Sequence, residues 1–250
     1  MMPRYRCKVE YDGEPFCGWQ VQPNALSVQE TLQKAIATVA RQESVHVMGS
    51  GRTDAGVHAL GQVAAFDLDE PQEARRLERG VNALVAPSIC VYDLEETRPD
   101  FQPRFDALER RYVYAILLRR SPLLEKRAWF PREARLDAEA MAREAKLFLG
   151  ERDFRPFCLP REDQPNTVCD MRSVEIVPDG DRSRLLFAKL AANRFLHHQV
   201  RAMVGHLVEV GCGRLPEGSA ARILAGEIPG TRRWAPPQGL ALERVVYSDY

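Results

Sequence analysis

The order of secondary-structure signals in the first hundred residues constrains the fold more than any other feature of the sequence. Residues 5–11 alternate apolar and polar side chains, which is the period of a strand with one buried face. Ser27 and Glu30 form a capping box, and the apolar spacing after them predicts a helix over 28–41. Further signals predict short strands at 45–48 and 62–68, a helix over 72–85 and a strand over 89–94.

The resulting order, strand-helix-strand-strand-helix-strand, is the ferredoxin-like supersecondary pattern. The rest of the chain predicts a variation on it: a strand over 110–118, a helix capped by Asp137 and ending at Gly150, strands over 174–177 and 185–190, a helix over 195–211 and a last strand over 242–247. A length of 250 residues admits two compact lobes. We therefore predict an α+β fold of two ferredoxin-like lobes, 1–105 and 106–250, whose antiparallel sheets join around a central active-site cleft.

Composition narrows the class of protein only partly. No apolar run is long enough to span a bilayer, and the N-terminus lacks the apolar core of a signal peptide, so we expect a cytoplasmic protein without a membrane partner. The formal charge of zero does not by itself predict nucleic-acid binding. Between Arg182 and Val208, however, the sequence holds basic residues and histidines and no acid, which predicts a local positive surface. Six cysteines without a CxxC pair argue against a zinc ribbon.

Residues 49–59 read Gly-Ser-Gly-Arg-Thr-Asp-Ala-Gly-Val-His-Ala and place three glycines around Asp54. Glycine permits backbone conformations that other residues resist. From the residue types alone, such a loop is either a structural turn in which Asp54 accepts local hydrogen bonds, which is the commoner case, or the support of a catalytic carboxylate. A phosphate-binding P-loop is excluded, because no Gly-Lys-Ser/Thr follows at the required spacing.

Residues 51–59 resemble the active-site motif of the tRNA pseudouridine synthase A (TruA) family. Other family motifs are matched in the same order over nearly the whole chain, at 11–13, 18–20, 110–114, 195–201 and 239–242. The resemblance implies an isomerase that converts uridine to pseudouridine at positions 38, 39 and 40 of the tRNA anticodon stem-loop. It also implies that the enzyme acts as a homodimer, binds tRNA and needs no cofactor.

By the same resemblance, Asp54 is the catalytic residue. A carboxylate can attack a sugar carbon or accept a proton there, so a covalent adduct and a glycal intermediate both stay open. The implied substrate-binding residues are Arg52, Tyr112, Arg201 and Leu242. Arg52 would contact phosphate or fill the gap left by the extruded nucleotide, and Tyr112 would stack on the flipped uracil. Arg201 would lie against the aspartate, and Leu242 would form an apolar wall beneath the base.

The histidines have structural interpretations. We expect His58 to brace the loop of Asp54. His197 and His198 fall on the predicted helix, where neighbours point about 100° apart, and no acidic or thiol ligands complete a site, so we predict no metal. Gln199 stands where the family commonly has an apolar residue, and we place it on an outward helix face. The segment 154–169 departs most from the family pattern, and its part in RNA contact stays open.

Two other classes remain possible from the residues. A non-catalytic RNA-binding protein built on ferredoxin-like lobes would normally carry an RNP-type aromatic strand motif, and none occurs in the sequence. A carboxylate hydrolase acting on small nucleosides would need a second carboxylate to activate water. The loop 49–59 offers only Asp54 for that purpose.

Overall fold

The computed structural model describes residues 2–132, 135–160, 166–180, 184–230 and 233–248. The chain is a mixed α/β fold that divides into two compact units, one of Met1–Leu108 with Leu242–Tyr250 and one of Glu109–Ala241. Within the described part of the chain, no helix combines the length and apolar character that crossing a membrane requires.

The first unit follows the order of elements that the sequence predicts. Up to residue 97 its elements are β1 (Arg4–Tyr11), α1 (Val28–Ala40), β2 (Met48–Gly49), β3 (His58–Asp67), α2 (Ala74–Val85) and β4 (Ile89–Thr97). β1 pairs antiparallel with β3 and β4, and β2 pairs antiparallel with β3. Ser27 accepts a hydrogen bond from the amide of Glu30, as the capping box predicts. Strand β3 begins earlier than the predicted residue 62, because Ala59 already pairs with Tyr11.

The second unit contains β5 (Glu109–Leu117), α3 (Ala138–Ala145), β6 (Gly150–Asp153), β7 (Val168–Pro178), β8 (Leu185–Ala192), α4 (Gln199–Gly211) and α5 (Ser219–Leu224). Its strands lie in the order β5-β8-β7-β6, and each neighbouring pair of strands is antiparallel. Asp137 caps α3 by accepting the amide of Ala140, as predicted. Helices α3 and α4 pack against each other.

The start of α4 differs from the prediction. The helix begins at Gln199 rather than at residue 195, because His198 adopts a left-handed φ of 61°. His197 and His198 thus precede the helix, and their ring centroids lie only 4.1 Å apart, so the argument that they diverge on a helix was wrong. The prediction that Gln199 faces outward was also wrong, because the residue is fully buried. Its Oε1 accepts the amide of Leu196 at 2.8 Å.

The last strand, β9 (Leu240–Val246), continues into a C-terminal segment that joins the first unit from Leu242 onward. The amide of Leu108 donates to the carbonyl of Val246 at 2.8 Å. The hydroxyl of Tyr247 donates to the carbonyl of Pro103 at 2.7 Å. These contacts tie the end of the chain to residues more than a hundred positions earlier.

Candidate active site

Residues 50–57 connect β2 and β3 and present Asp54. A tight turn runs from Asp54 to Val57, whose amide donates to the carbonyl of Asp54 at 3.1 Å. Gly56, at the third position of this turn, has a φ of 76°, a conformation that favours glycine in a type II turn. Asp54 is half-buried at the first position of the turn, and Arg52 is exposed two residues earlier. The glycine therefore allows the chain to reverse immediately after the carboxylate.

Thr53 is held through both its side chain and its backbone. Its hydroxyl hydrogen-bonds the hydroxyl of Tyr11 at 2.8 Å in a buried position. Its carbonyl accepts the amide of Trp19 at 3.1 Å. On the other side of Asp54, the amide of Gly56 donates to the carbonyl of Phe16 at 3.3 Å. The segment from Tyr11 to Trp19 thus fixes the loop backbone before and after the candidate carboxylate.

The beginning of the loop is anchored to β3. The amide of Ser50 donates to the carbonyl of Val63 at 2.8 Å, and its hydroxyl bonds Oε1 of Gln62. The buried Gln62 side chain also donates from Nε2 to the carbonyl of Gly51 at 2.9 Å. Because a buried amide side chain with these bonds is costly to displace, the loop enters the site from a fixed point.

His58 closes the loop, as expected of a bracing residue. It is buried at the start of β3, and its Nδ1 accepts the amide of Gly13 at 3.0 Å. Asp12 Oδ1 lies 3.2 Å from the same nitrogen. An Nδ1 that accepts from Gly13 cannot also carry a proton, so we interpret the Asp12 contact as a close approach rather than an ion pair. His58 therefore ties the turn at residues 12–13 to the end of the Asp54 loop.

Tyr112 and Tyr114 lie on one face of β5 in the second unit. Tyr112 pairs with Leu190 of β8, and its ring meets the ring of Phe195 edge to face, with centroids 5.1 Å apart. Tyr114 is fully buried, and its hydroxyl donates to the carbonyl of Pro236 at 2.7 Å. Burial raises the pKa of Tyr114 well above its ordinary value, although the positive charge of Arg201 lowers it in part. Tyr114 is therefore a neutral hydrogen-bond donor at physiological pH.

Arg201 lies in the first turn of α4 and is half-buried. Its Nε donates to the carbonyl of Ala235 at 2.8 Å, and the amide of Ala235 donates back to the carbonyl of Arg201 at 3.0 Å. Leu242 lies on β9 and is buried. Three of the five candidate residues belong to the first unit: Arg52 and Asp54 share one loop, and Leu242 lies on β9. The other two, Tyr112 and Arg201, belong to the second unit.

Thr53 and Ala235 contact or adjoin the candidate residues and were not singled out from the sequence. Thr53 lies inside the glycine-bearing motif, so its position could have suggested a supporting role. Ala235 lies in no motif, and no sequence signal marks it. Ala235 contributes only backbone groups, which any residue carries, and this explains why its residue type does not reveal it.

Comparison with known protein families identifies the class. Residues 8–106 and 145–248 match a family profile described as tRNA pseudouridine synthase. The chain is thus an RNA-modifying isomerase that acts on uridine in tRNA. It belongs to the tRNA pseudouridine synthase family, which confirms the resemblance seen in the sequence motifs.

Similar proteins extend over nearly the whole chain. A tRNA pseudouridine synthase A of Geobacter sulfurreducens is 43% identical over 242 residues, covering 96% of this chain and 97% of that protein. A tRNA pseudouridine synthase A of Rhodopseudomonas palustris strain HaA2 is 42% identical over 249 residues, covering 98% of this chain and 100% of that protein. Among solved structures, the alignment with an archaeal box H/ACA sRNP Nop10-Cbf5 complex has 13% identity and a TM-score of 0.37, and it covers 82% of this chain and 43% of that chain.

Proposed function

We propose that this enzyme isomerises uridines at positions 38, 39 and 40 of the tRNA anticodon stem-loop, with Asp54 as its catalytic residue. The observation that carries the assignment is the Asp54 loop: a half-buried carboxylate whose backbone is hydrogen-bonded on both sides, within the first segment that matches the family. A carboxylate held in this way loses little freedom when it meets a substrate, so its placement contributes to the rate.

The reaction breaks the bond between uracil N1 and ribose C1′ and forms a bond between C5 and C1′. The proton on C5 is lost and N1 gains one, so the product is an isomer of the substrate. Asp54 supports two routes: attack on C1′ to form an ester, or removal of the 2′ proton to give a glycal. Neither route needs an activated water, so one carboxylate suffices, and neither needs a cofactor or a metal.

The other candidate residues have roles that fit their environments. Exposed Arg52 contacts phosphate or fills the space of the extruded nucleotide, whose base must leave the stem to react. Tyr112 stacks on the uracil, and its edge-to-face contact with Phe195 supports a fixed ring orientation. Arg201 orients the aspartate, and Leu242 forms an apolar wall beneath the base.

We further propose two ferredoxin-like lobes, 1–105 with the Asp54 loop and 106–250 with Tyr112 and Arg201, whose sheets join around a central active-site cleft. The order β4-β1-β3 with β2 beside β3 supports this description of the first lobe. We also propose that the enzyme is a cytoplasmic homodimer whose cleft binds tRNA by shape and phosphate contact, since the A-form major groove is too narrow to read.

Incubation of the purified protein with unmodified tRNA transcripts, followed by chemical mapping of pseudouridine, tests the proposal. We expect product at positions 38, 39 and 40 and none when the uridine at that position is replaced by cytidine. Asp54→Asn removes the charge with almost no change in volume, so we expect it to abolish product and to preserve tRNA binding.

The matched control is Asp69→Asn, which makes the same change at an exposed site of the same unit. We expect this variant to react at the wild-type rate. Product formation by Asp54→Asn at the wild-type rate would overturn the catalytic assignment. Product only at other tRNA positions would overturn the assigned sites and leave the role of Asp54 standing.

A further inference from the structure

We propose that Tyr114 and the segment 233–236 together hold the guanidinium of Arg201 in a fixed position. The segment 233–236 is called the strap below. The inference rests on the role proposed above for Arg201 and extends it by naming what holds the side chain in place. Tyr114 is a positioning residue in this scheme, because it acts through the strap and contacts no reacting atom. The strap and both side chains belong to the second unit.

The strap runs antiparallel along α4 and is attached at both ends. At its start, Nη1 of Arg233 donates to Oε1 of Glu209 at 2.7 Å, and the guanidinium of Arg233 lies over the ring of Trp129, 5.0 Å from the centroid. Two residues later, Ala235 exchanges two hydrogen bonds with Arg201. The strap backbone therefore passes α4 from Gly205, which faces the Arg233 carbonyl, to Arg201, about one helical turn, and the Arg233 side chain reaches further along the helix to Glu209.

Gly205 allows the strap to approach the helix. A Cβ added at this position would lie 2.0 Å from the carbonyl oxygen of Arg233, a distance that a real side chain does not reach. Gly205 is in the middle of α4, where glycine costs about 1 kcal/mol relative to alanine. The close passage of the strap gives a physical reason for a glycine at this helix position.

Tyr114 holds the far end of the strap. Its hydroxyl donates to the carbonyl of Pro236 at 2.7 Å, next to the residue whose carbonyl accepts from Arg201. The Tyr114 ring is fully buried and meets the ring of Trp129 edge to face, with centroids 6.2 Å apart. The ring that supports Arg233 at one end of the strap therefore also packs against the tyrosine at the other.

The chemical consequence concerns the plane of the Arg201 guanidinium. The five N–H groups of an arginine lie in one plane, so a hydrogen bond from Nε to a fixed carbonyl sets the orientation of the two terminal nitrogens. A carbonyl on a loosely held segment would leave that plane variable. The Tyr114 hydroxyl fixes Pro236, and with it the neighbouring acceptor at Ala235.

The test compares two tyrosine-to-phenylalanine variants with the same local chemistry. Tyr114→Phe removes the donor to Pro236. Tyr247→Phe removes a buried donor to the carbonyl of Pro103, also at 2.7 Å, in the first unit. We expect the two variants to lose similar stability, measured as melting temperature. We expect only Tyr114→Phe to lower the single-turnover rate, by about tenfold, with tRNA affinity unchanged.

A double-mutant cycle separates positioning from a general structural effect. Arg201→Ala alone should slow the reaction, and adding Tyr114→Phe to it should change the rate by less than about twofold, because the group being aimed is absent. Gly205→Ala provides a second route, since its methyl group must displace the strap without removing a polar group. We expect it to lower the single-turnover rate as Tyr114→Phe does.

Each other outcome has a definite meaning. Equal rates for the Tyr114→Phe and Tyr247→Phe variants, or an undiminished effect of Tyr114→Phe in the Arg201→Ala background, would overturn the positioning inference. Slow turnover by Arg201→Ala together with normal turnover by Tyr114→Phe would overturn it while leaving the role of Arg201 intact. Wild-type turnover by Arg201→Ala would overturn both, and the assignment of Asp54 would still depend on its own variant.

Discussion

At the scale of single residues, the position of Asp54 depends on a neighbour that carries no reacting group. Thr53 is joined to Asp54 by a planar peptide bond, so a displacement of Thr53 moves the carboxylate with it. The buried bond between the hydroxyls of Tyr11 and Thr53 and the bond from the Trp19 amide both oppose such a displacement. The placement of the acid is therefore a property of strand β1 and the segment after it as much as of the loop.

Tyr11→Phe tests this dependence. The change removes one buried hydrogen bond and keeps the ring, so we expect a loss of about 1 to 2 kcal/mol in the free energy of unfolding. Because Thr53 gains freedom, we also expect the single-turnover rate on tRNA to fall by about tenfold. Chemical denaturation and single-turnover pseudouridine formation measure the two effects separately.

Tyr5→Phe is the control for that variant. Tyr5 lies on the same buried face of β1, and its hydroxyl bonds the backbone of Gln72, away from the Asp54 loop. We expect a comparable loss of stability and a wild-type rate. A reduced rate in both variants would mean that β1 affects catalysis through stability alone.

The sequence marks the proposed catalytic residue better than it marks the residues that support it. Asp54 lies within a contiguous motif, and the family match over residues 8–106 includes that motif. The hydrogen bond between the hydroxyls of Tyr11 and Thr53 joins positions 42 residues apart, and no local period or spacing predicts such a contact. Arg201 was named through the resemblance, but its bond to Ala235 depends on how the strap folds back, which residue types do not reveal.

At the scale of elements, prediction succeeded where a long pattern repeats and failed where one backbone conformation decides. Helix α1 and strand β1 were predicted to within one residue at each end, because capping and periodicity agree there. The start of α4 was misplaced by four residues, since the left-handed conformation of His198 has no signature in its residue type. β6 and α5 were not predicted, because four and six residues are too few to show a period.

A buried carboxylate joins three helices of the second unit. Glu144 of α3 accepts from Nε2 of His206 on α4 at 2.9 Å and from the amides of Gly218 and Ala220 at 2.6 Å each, around the start of α5. Burial alone would raise the pKa of Glu144, but these hydrogen bonds outweigh it, and the pKa lies below its ordinary value. The ionised form is therefore the one that the fold stabilises.

Glu144→Gln should destabilise the protein by about 2 to 4 kcal/mol at pH 7, because the new amide group would face backbone donors. A carboxyl whose pKa is lower in the folded state stabilises the protein at pH values above the pKa of the unfolded state, about 4.3. That contribution is lost as the pH falls through the folded pKa. We therefore expect the wild-type free energy of unfolding to fall below about pH 5 more steeply than that of the variant, measured by denaturation across pH.

Glu139→Gln provides the comparison on the same helix. The Glu139 side chain is 91% exposed, so its replacement should change the stability at pH 7 by less than about 0.5 kcal/mol. It should also keep the wild-type dependence on pH. Parallel pH curves for Glu144→Gln and the wild type would show that another group governs the loss of stability in acid.

At the scale of the whole molecule, the chain leaves the first unit at Leu108 and returns to it at Leu242. A boundary drawn from the sequence at residue 105 depends on local composition, here a polar passage with prolines. Local composition does not reveal that the chain re-enters the first unit, because this re-entry consists of contacts between positions more than 130 residues apart. The C-terminal segment thus stabilises the unit that contains Asp54, although the intervening residues form the second unit.

Tyr247→Ala tests this division of the chain. Tyr247 is buried, its hydroxyl bonds Pro103, and its ring lies 5.3 Å from that of Phe101, so its truncation should cost about 3 to 5 kcal/mol. Because these contacts lie within the first unit, hydrogen exchange should accelerate at amides of residues 2–108 and change little within 109–241. Phe148→Ala removes a fully buried ring of the second unit and should give the opposite pattern. Equal acceleration in both units for both variants would mean that the two units open together, and that the C-terminal segment stabilises the molecule as a single cooperative body.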